Sequence, residues 1–231
     1  VNERLSITAN LLGDPGRAAI LLSLMGGIAL PAGELAHIAN VAPQTASAHL
    51  GRLVDGHLLN VERQGRHRYY RLANSQVAEV IEALLVLTAR PRSYEKAAKT
   101  SEPAAGSAAY ARTCYSHLAG RVGVQIADAL ETRGLLVRAD AKAYAVTSSG
   151  IAWFAALGIE IVTPRAVDPR FARRCLDWTE RRHHLAGTLG CAMYRRFREL
   201  KWMAPIQNTR AIRLTLQGKS RLWELFHMPI G

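Results

Sequence analysis

Apolar residues in the first ninety positions recur at helical spacing, in short bursts separated by Gly and Pro. "NERLSITANLL" and "DPGRAAILLSLMGG" predict two helices. Asp14 is placed to cap the second, Pro15 to open it and Gly26-Gly27 to end it. "AGELAHIANV" predicts a third helix of about two turns. Pro43 opens a fourth, "PQTASAHLGRLVDGHLL", which Gly56 is placed to end. The period then changes. "LLNVER" and "HRYYRL" alternate on either side of "QGR", with Gly65 at the tip, and predict a β-hairpin. "NSQVAEVIEALLVLTAR" returns to the helical period, with Asn74 able to cap it and Val77, Val80, Ile81, Leu84, Leu85 and Thr88 in one stripe. Helix, short helix, turn, helix, hairpin is the order of a winged helix-turn-helix.

"RPRSYEKAAKTSEPAAG", Arg90 to Gly106, reads as a linker of charge, Pro and small residues. Beyond it the chain writes one pattern twice. "HLAGRVG" starts at His117 and "HLAGTLG" at His184. Leu118, Val122, Ile126 and Leu130 correspond to Leu185, Leu189, Met193 and Phe197, so each set falls on one helix face. Each copy then runs through a short strand pair to Thr-x-x-Gly, at Thr147–Gly150 and Thr215–Gly218, where the Thr can cap the next helix. The expected fold is mainly α with small β-hairpins. A winged helix-turn-helix domain spans 1–90, a linker 91–106, and a C-terminal helical domain 107–231. That domain is built from two repeated helix-hairpin-helix units, about 107–160 and 165–231.

In a winged helix-turn-helix the second helix of the pair enters a major groove. Its exposed N-terminal part here offers Gln44, Thr45, Ser47, Ala48 and His49, with Arg52 a turn further on. These are short groups that reach base edges or phosphates. Arg63, Gln64, Arg66, His67 and Arg68 surround the hairpin tip and suit a wing lying against phosphates or in a minor groove. Taken alone such a basic run is an ordinary solvated surface; the complete order of elements around it favours DNA.

"APQTASAHLGRLVDGHLLNVERQGRHRYYRLA" resembles the recognition helix and wing of the ArsR/SmtB family of bacterial regulators, over about residues 8–90. Thr45, Ser47, His49, Leu50, Leu53, Gly65, Tyr69, Tyr70 and Leu72 fall on the family pattern. Ala42 replaces the usual capping Ser, and Ala48 a residue that is basic in many relatives. The resemblance implies a homodimer joined by its first and last helices, binding an inverted-repeat operator in double-stranded DNA. Metal-sensing members carry thiolates on the short helix, or His and acidic ligands on the last one. The short helix here has only His37 and no Cys, and the last helix has Glu79 and Glu82 but no His or Asp, so both familiar metal sites are missing. The tail segments around "CYSHLAG" and "CLDWTER" are similar to those of some longer ArsR-type regulators, with Ser116 where an acid is expected.

Charge sharpens this picture. The 231-residue chain carries 30 Lys and Arg against 18 Asp and Glu, a net +12. The excess is uneven: 8 against 7 in residues 1–90, 8 against 6 in 91–164, and 14 against 5 in 165–231. A basic end of +9 is either a solvated face or a source of extra phosphate contacts. No apolar run is long enough to span a membrane, and the start shows no basic leader followed by an apolar stretch. Cys114, Cys175 and Cys191 are too few, and odd in number, for a secreted disulfide scaffold, and point to the cytoplasm.

Any effector must then act through the tail. Cys114 lies three residues before His117, so both are expected on one helical face. "FARRCLDWTERRHH" brings Cys175, Asp177, His183 and His184 ahead of the second copy. If the copies pair, Cys114, His117, Cys175 and one of Asp177, His183 or His184 converge on a mixed S/N/O set suited to zinc or another thiophilic divalent metal. Three alternatives stay open. The thiols, flanked by Arg173, Arg174, Arg181 and Arg182, form a redox pair; the effector is an organic molecule; or the histidines and thiols only pack. Cys191 reads as core, and Trp153, Trp178, Trp202 and Trp223 as filling between the copies, with an apolar effector cleft among them the alternative. A Gly-rich phosphate loop, HExxH, G-x-S-x-G and paired carboxylates are all missing, which argues against an enzyme. The expected function is a homodimeric, DNA-binding transcriptional repressor released by a metal, thiol-reactive or small-molecule effector. A non-specific or architectural nucleic-acid-binding protein using the basic tail is the alternative.

Overall fold

The computed structural model describes residues 2–65, 67–88, 103–161, 168, 170–207 and 209–228. The chain divides into two compact units, Val1–Ile81 and Glu82–Gly231.

The first unit follows the hydrophobic pattern closely. Helices α1 (Asn2–Leu12), α2 (Pro15–Ser23), α3 (Ala32–Ile38) and α4 (Pro43–Asp55) come first. Asp14 caps α2 by accepting the backbone N–H of Arg17. The buried Arg17 side chain turns back to donate to the carbonyls of Leu11 and Asn10, both at 2.8 Å. Those carbonyls belong to the last turn of α1 and have no partner within the helix. Strand β1 (Leu30–Pro31), which the sequence pattern did not signal, adds to the wing strands β2 (Leu59–Gln64) and β3 (His67–Leu72) in the order β1-β3-β2. Ile20, Leu21, Leu24, Leu35, Leu50, Leu53 and Leu59 fill the core. Helix α5 (Ser75–Thr88), with Asn74 accepting the N–H of Val77, runs across the division between the units.

In the second unit the expected helical start of each copy is a β-hairpin. His117 and His184 lie on strands. β4 (Arg112–Cys114) pairs with β5 (His117–Ala119), and β8 (Arg173–Leu176) with β9 (His183–Ala186). The long helices begin only afterwards, as α6 (Gly120–Thr132) and α8 (Gly187–Glu199). Each is followed by a second hairpin and a short helix. In the first half these are β6 (Leu136–Arg138), β7 (Tyr144–Val146) and α7 (Ser148–Ala156). In the second they are β10 (Met203–Pro205), β11 (Ile212–Leu214) and α9 (Leu216–Phe226). The reason for the difference is local. Tyr115 adopts the left-handed φ of 56° and, with Ser116, closes a tight turn, so Cys114 and His117 face each other across two strands rather than along one helix.

The halves are stitched crosswise. Thr113 N–H donates to Arg210 O, and Ile212 N–H to Ala111 O, which ties β4 to the second hairpin of the other half. Tyr144 N–H to Ala172 O and Arg174 N–H to Lys142 O repeat this the other way round. One apolar cluster spans both halves, from Leu118, Val122, Ile126 and Leu130 to Leu185, Leu189, Met193 and Phe197. Trp202 stacks on Phe197 and Trp153 meets Phe154 and Phe226, so these fill core, whereas Trp223 is 55% exposed.

Candidate functional site

Helix α4 buries Ala46, Leu50 and Leu53 along one side. The other side leaves Gln44, Thr45, Ser47, Ala48 and Arg52 exposed. His49 departs from this set. It is half-buried, with Nε2 3.6 Å from the capping carboxylate Asp14, so its ring fastens α4 to the start of α2. At the wing, Arg63, Gln64, His67 and Arg68 are exposed, and Arg66 lies outside the described residues. A helix with a polar, small-residue face beside a basic ribbon can engage a groove and the phosphates that border it.

The second unit gathers a different set. The ligand atoms of Cys114, His117, Cys175 and His184 all lie within 4.8 Å of one another. Each half contributes one cross-strand Cys/His pair, Cys114 opposite His117 and Cys175 opposite His184. The two sulfur atoms are 4.0 Å apart and the two Nε2 atoms 3.1 Å apart. The repeated glycines explain how the pairs meet. A Cβ on Gly123 would come within 2.8 Å of Leu118 O and 3.7 Å of the His184 Cβ. One on Gly190 would come within 2.4 Å of Leu185 O and 3.5 Å of the His117 Cβ. Each long helix is thin where the other half's histidine passes.

Buried charge frames this cluster. Asp177 Oδ2 accepts from Arg112 Nη2 at 2.9 Å and from the Gly120 N–H at 2.8 Å, and lies 3.4 Å from His184 Nδ1. Its Oδ1 accepts from Thr179 N–H, Thr179 Oγ1–H and Glu180 N–H. Burial opposes the carboxylate, yet His184, Arg112 and Thr179 hold its pKa far below the usual carboxylate range. The hydrogen bond from Cys114 pushes the Cys175 thiol well below its ordinary value, with the flanking histidines adding to it. The same bond, together with burial, raises Cys114. Burial works against a His184 cation, but the Cys175 sulfur and Asp177 outweigh it and lift its pKa to about 9. Burial lowers that of His117. The result is a close sulfur pair beside two facing imidazoles, with the Asp177 carboxylate behind that of His184.

Of the tail residues singled out in the sequence, His183 does not join this group: its Nδ1 lies 3.4 Å from Arg174 Nη2. Asp177 supports the group from behind. Cys191 sits on Ser116, sulfur to oxygen 2.9 Å. Two further residues matter here: Arg112, which the sequence reading missed, and Glu82, which it noted only as an acid of the last helix. Arg112 is fully buried against Asp177, and Glu82 of α5 is buried with Oε1 2.9 Å from Arg210. The Arg-x-Cys shared by Arg112–Cys114 and Arg173–Cys175 would have extended the repeat back to Arg112.

A helix-turn-helix domain model matches residues 12–62. Over 219 residues, 95% of each chain, the protein is 48% identical to the uncharacterized HTH-type transcriptional regulator YdfF of Bacillus subtilis (strain 168). The chain belongs to the HTH-type transcriptional regulators. Among solved structures, HlyU from Vibrio cholerae N16961 is similar at 24% identity over 38% of this chain and 96% of its own, with a TM-score of 0.35. The AntR antimony-specific transcriptional repressor is similar at 26% identity over 43% and 83%, with a TM-score of 0.34. The regulator is a DNA-binding protein with a winged helix-turn-helix. Among its described residues, no helix is long and apolar enough to cross a membrane.

Proposed function

We propose that the regulator is a homodimeric, cytoplasmic repressor that reads an inverted repeat and is switched by an effector acting on its C-terminal unit. The observation that carries the DNA part is the two-sided α4, which packs through Ala46, Leu50 and Leu53 while Gln44, Thr45, Ser47 and Ala48 stay exposed. These four, with Arg52 and the wing residues Arg63, Gln64, Arg66, His67 and Arg68, form the DNA-contacting set; His49 contributes by fixing α4. Homodimerisation is supported by apolar side chains left exposed on the first and last helices of the winged domain. Leu5 and Ile7 are 71% and 55% exposed, and Val80 and Leu87 50% and 79%. A second copy covering them would remove that surface from water. The effector part rests on the buried cluster of Cys114, His117, Cys175 and His184 with Asp177 behind it. Buried titratable groups cost stability unless they are paired or bind a metal, and clusters of them mark candidate functional sites.

Footprinting of the full-length protein on the promoter region of its own gene tests the reading. Two protected half-sites about one helical turn apart are expected. Protection that ignores sequence would instead favour non-specific binding through the basic C-terminal end.

A further inference from the structure

We infer that Cys114, His117, Cys175 and His184 form a closed four-ligand site for a single zinc ion, and that the ion clamps the two halves of the C-terminal unit together. The inference deepens the sensing role proposed above and rests on that role only for its effect on DNA.

The donor set selects the metal class. Two thiolates and two imidazoles without a carboxylate ligand suit a thiophilic, tetrahedral ion and disfavour magnesium or calcium. The spacing agrees. With bonds of about 2.3 Å to sulfur and about 2.05 Å to nitrogen, a tetrahedral zinc site needs its sulfurs ~3.8 Å and its nitrogens ~3.3 Å apart. Here they are 4.0 and 3.1 Å apart; the longest separation in the set, up to 4.8 Å, would shorten toward the ~3.6 Å of a tetrahedral sulfur–nitrogen pair on binding.

The arrangement of the imidazoles agrees as well. Two Nε2 atoms that point at each other inside a protein can share only one proton, whereas both can donate lone pairs to a cation between them. Nδ1 of His184 is buried without a well-aligned hydrogen bond, 3.4 Å from the Asp177 carboxylate. A carboxylate behind a ligating histidine fixes its tautomer and raises its basicity. Cys114, His117 and His184 are buried and Cys175 partly so, and the four side chains would fill all four positions of a tetrahedral ion, as in a closed, structural site.

The crosswise geometry gives the ion its role. Cys114 and His117 come from the β4–β5 hairpin and Cys175 and His184 from β8–β9, so the ion would bond equally to both halves. Glu82, itself part of the second unit, is buried beside Cys114. Binding therefore adds folding free energy to the C-terminal unit, and a chelator removes it.

The test uses the reduced full chain. Native mass spectrometry with added Zn2+ should show one ion per chain. Co2+ in its place should give the intense visible bands of a tetrahedral ion together with thiolate-to-cobalt charge transfer. Cys114→Ser and Cys175→Ser should each abolish the charge-transfer band or weaken binding at least tenfold, while Cys191→Ser and His183→Ala leave stoichiometry and spectrum unchanged. The wild-type spectrum needs no variant to fold. No bound ion, an octahedral cobalt spectrum, or equal binding in the Cys114 and Cys175 variants would overturn the site. So would a native protein with a Cys114–Cys175 disulfide that takes up no metal even after reduction. Footprinting of the same samples separates the two readings: a tetrahedral ion with unchanged DNA affinity keeps the site and removes the switch, whereas a redox response without metal removes the site and keeps the switch.

Discussion

The two halves of the C-terminal unit supply the same ligands but not the same support. β4–β5 closes through two residues, Tyr115 and Ser116, whereas β8–β9 is joined by 177–182. The longer connection holds Asp177, which reaches across to Arg112 and the Gly120 N–H of the first half while standing behind His184 of its own. Arg173, at the position equivalent to Arg112, is half-buried, whereas Arg112 is completely enclosed. The two matching hairpins supply a ring of donors, and the longer of the two loops sets the Asp177 carboxylate against groups of both halves.

The largest expected effect breaks that asymmetry directly. Arg112→Ala leaves the Asp177 carboxylate buried without its guanidinium and should cost about 3–5 kcal/mol in urea unfolding of the C-terminal unit. Arg173→Ala should cost no more than about 1 kcal/mol. Equal losses would mean that the halves are supported alike. Acid titration sharpens the same point. Despite burial, the Asp177 pKa is depressed in the native state, while an unfolded Asp titrates near ~3.9. Its contribution is therefore complete above about pH 5 and is lost as pH falls toward the lowered native value, a slope that Arg112→Ala should flatten.

The symmetric side of the comparison has its own tests. A Cβ on Gly150 would meet Leu135 O at 2.1 Å, and one on Gly218 would meet Trp202 O at 2.0 Å. Gly150→Ala and Gly218→Ala should each cost about 1–3 kcal/mol by thermal unfolding, and by similar amounts. One step smaller, Thr147→Ala and Thr215→Ala remove matching caps on the Gly150 and Gly218 N–H groups. Each should cost about 1 kcal/mol, and a large disparity would show that the repeats have diverged in energy as well as in loop length. Smallest of all for stability is Arg68→Ala on the exposed wing, expected within about 0.5 kcal/mol. Its effect should appear instead in the salt dependence of DNA binding, whose slope should flatten by about one unit if the guanidinium neutralises one phosphate.

The winged domain was legible because its signals are local. Asp14 and Asn74 cap their helices as their chemistry predicts, and the alternation from Leu59 to Leu72 needs only a partner strand beside it; at the end of α4, however, the left-handed residue is His57 (φ 57°) and not Gly56 (φ −81°). His49 was less legible. Its place on the family pattern suggested DNA, but its ring turns to Asp14, a contact formed between helices that sequence spacing does not encode. In the tail, the repeat around the two histidines revealed equivalence, and equivalence drew Cys114, His117, Cys175 and one of Asp177, His183 or His184 into one candidate set. It could not say that Cys114 and His117 face each other across a hairpin, because Cys-Tyr-Ser-His fits a helical turn as readily until the left-handed Tyr115 decides the matter.

Near-neighbour chemistry along the chain was enough to specify the capped helices, the alternating wing and the doubled heptapeptide with glycines at matching places. Folding in three dimensions had to choose which of His183, His184 and Asp177 approaches the thiols, and to bury Arg112 and Glu82 near them. Those choices depend on how two halves cross, and the crossing is set by packing and by buried charges that must find partners far away along the chain, where no periodicity reaches.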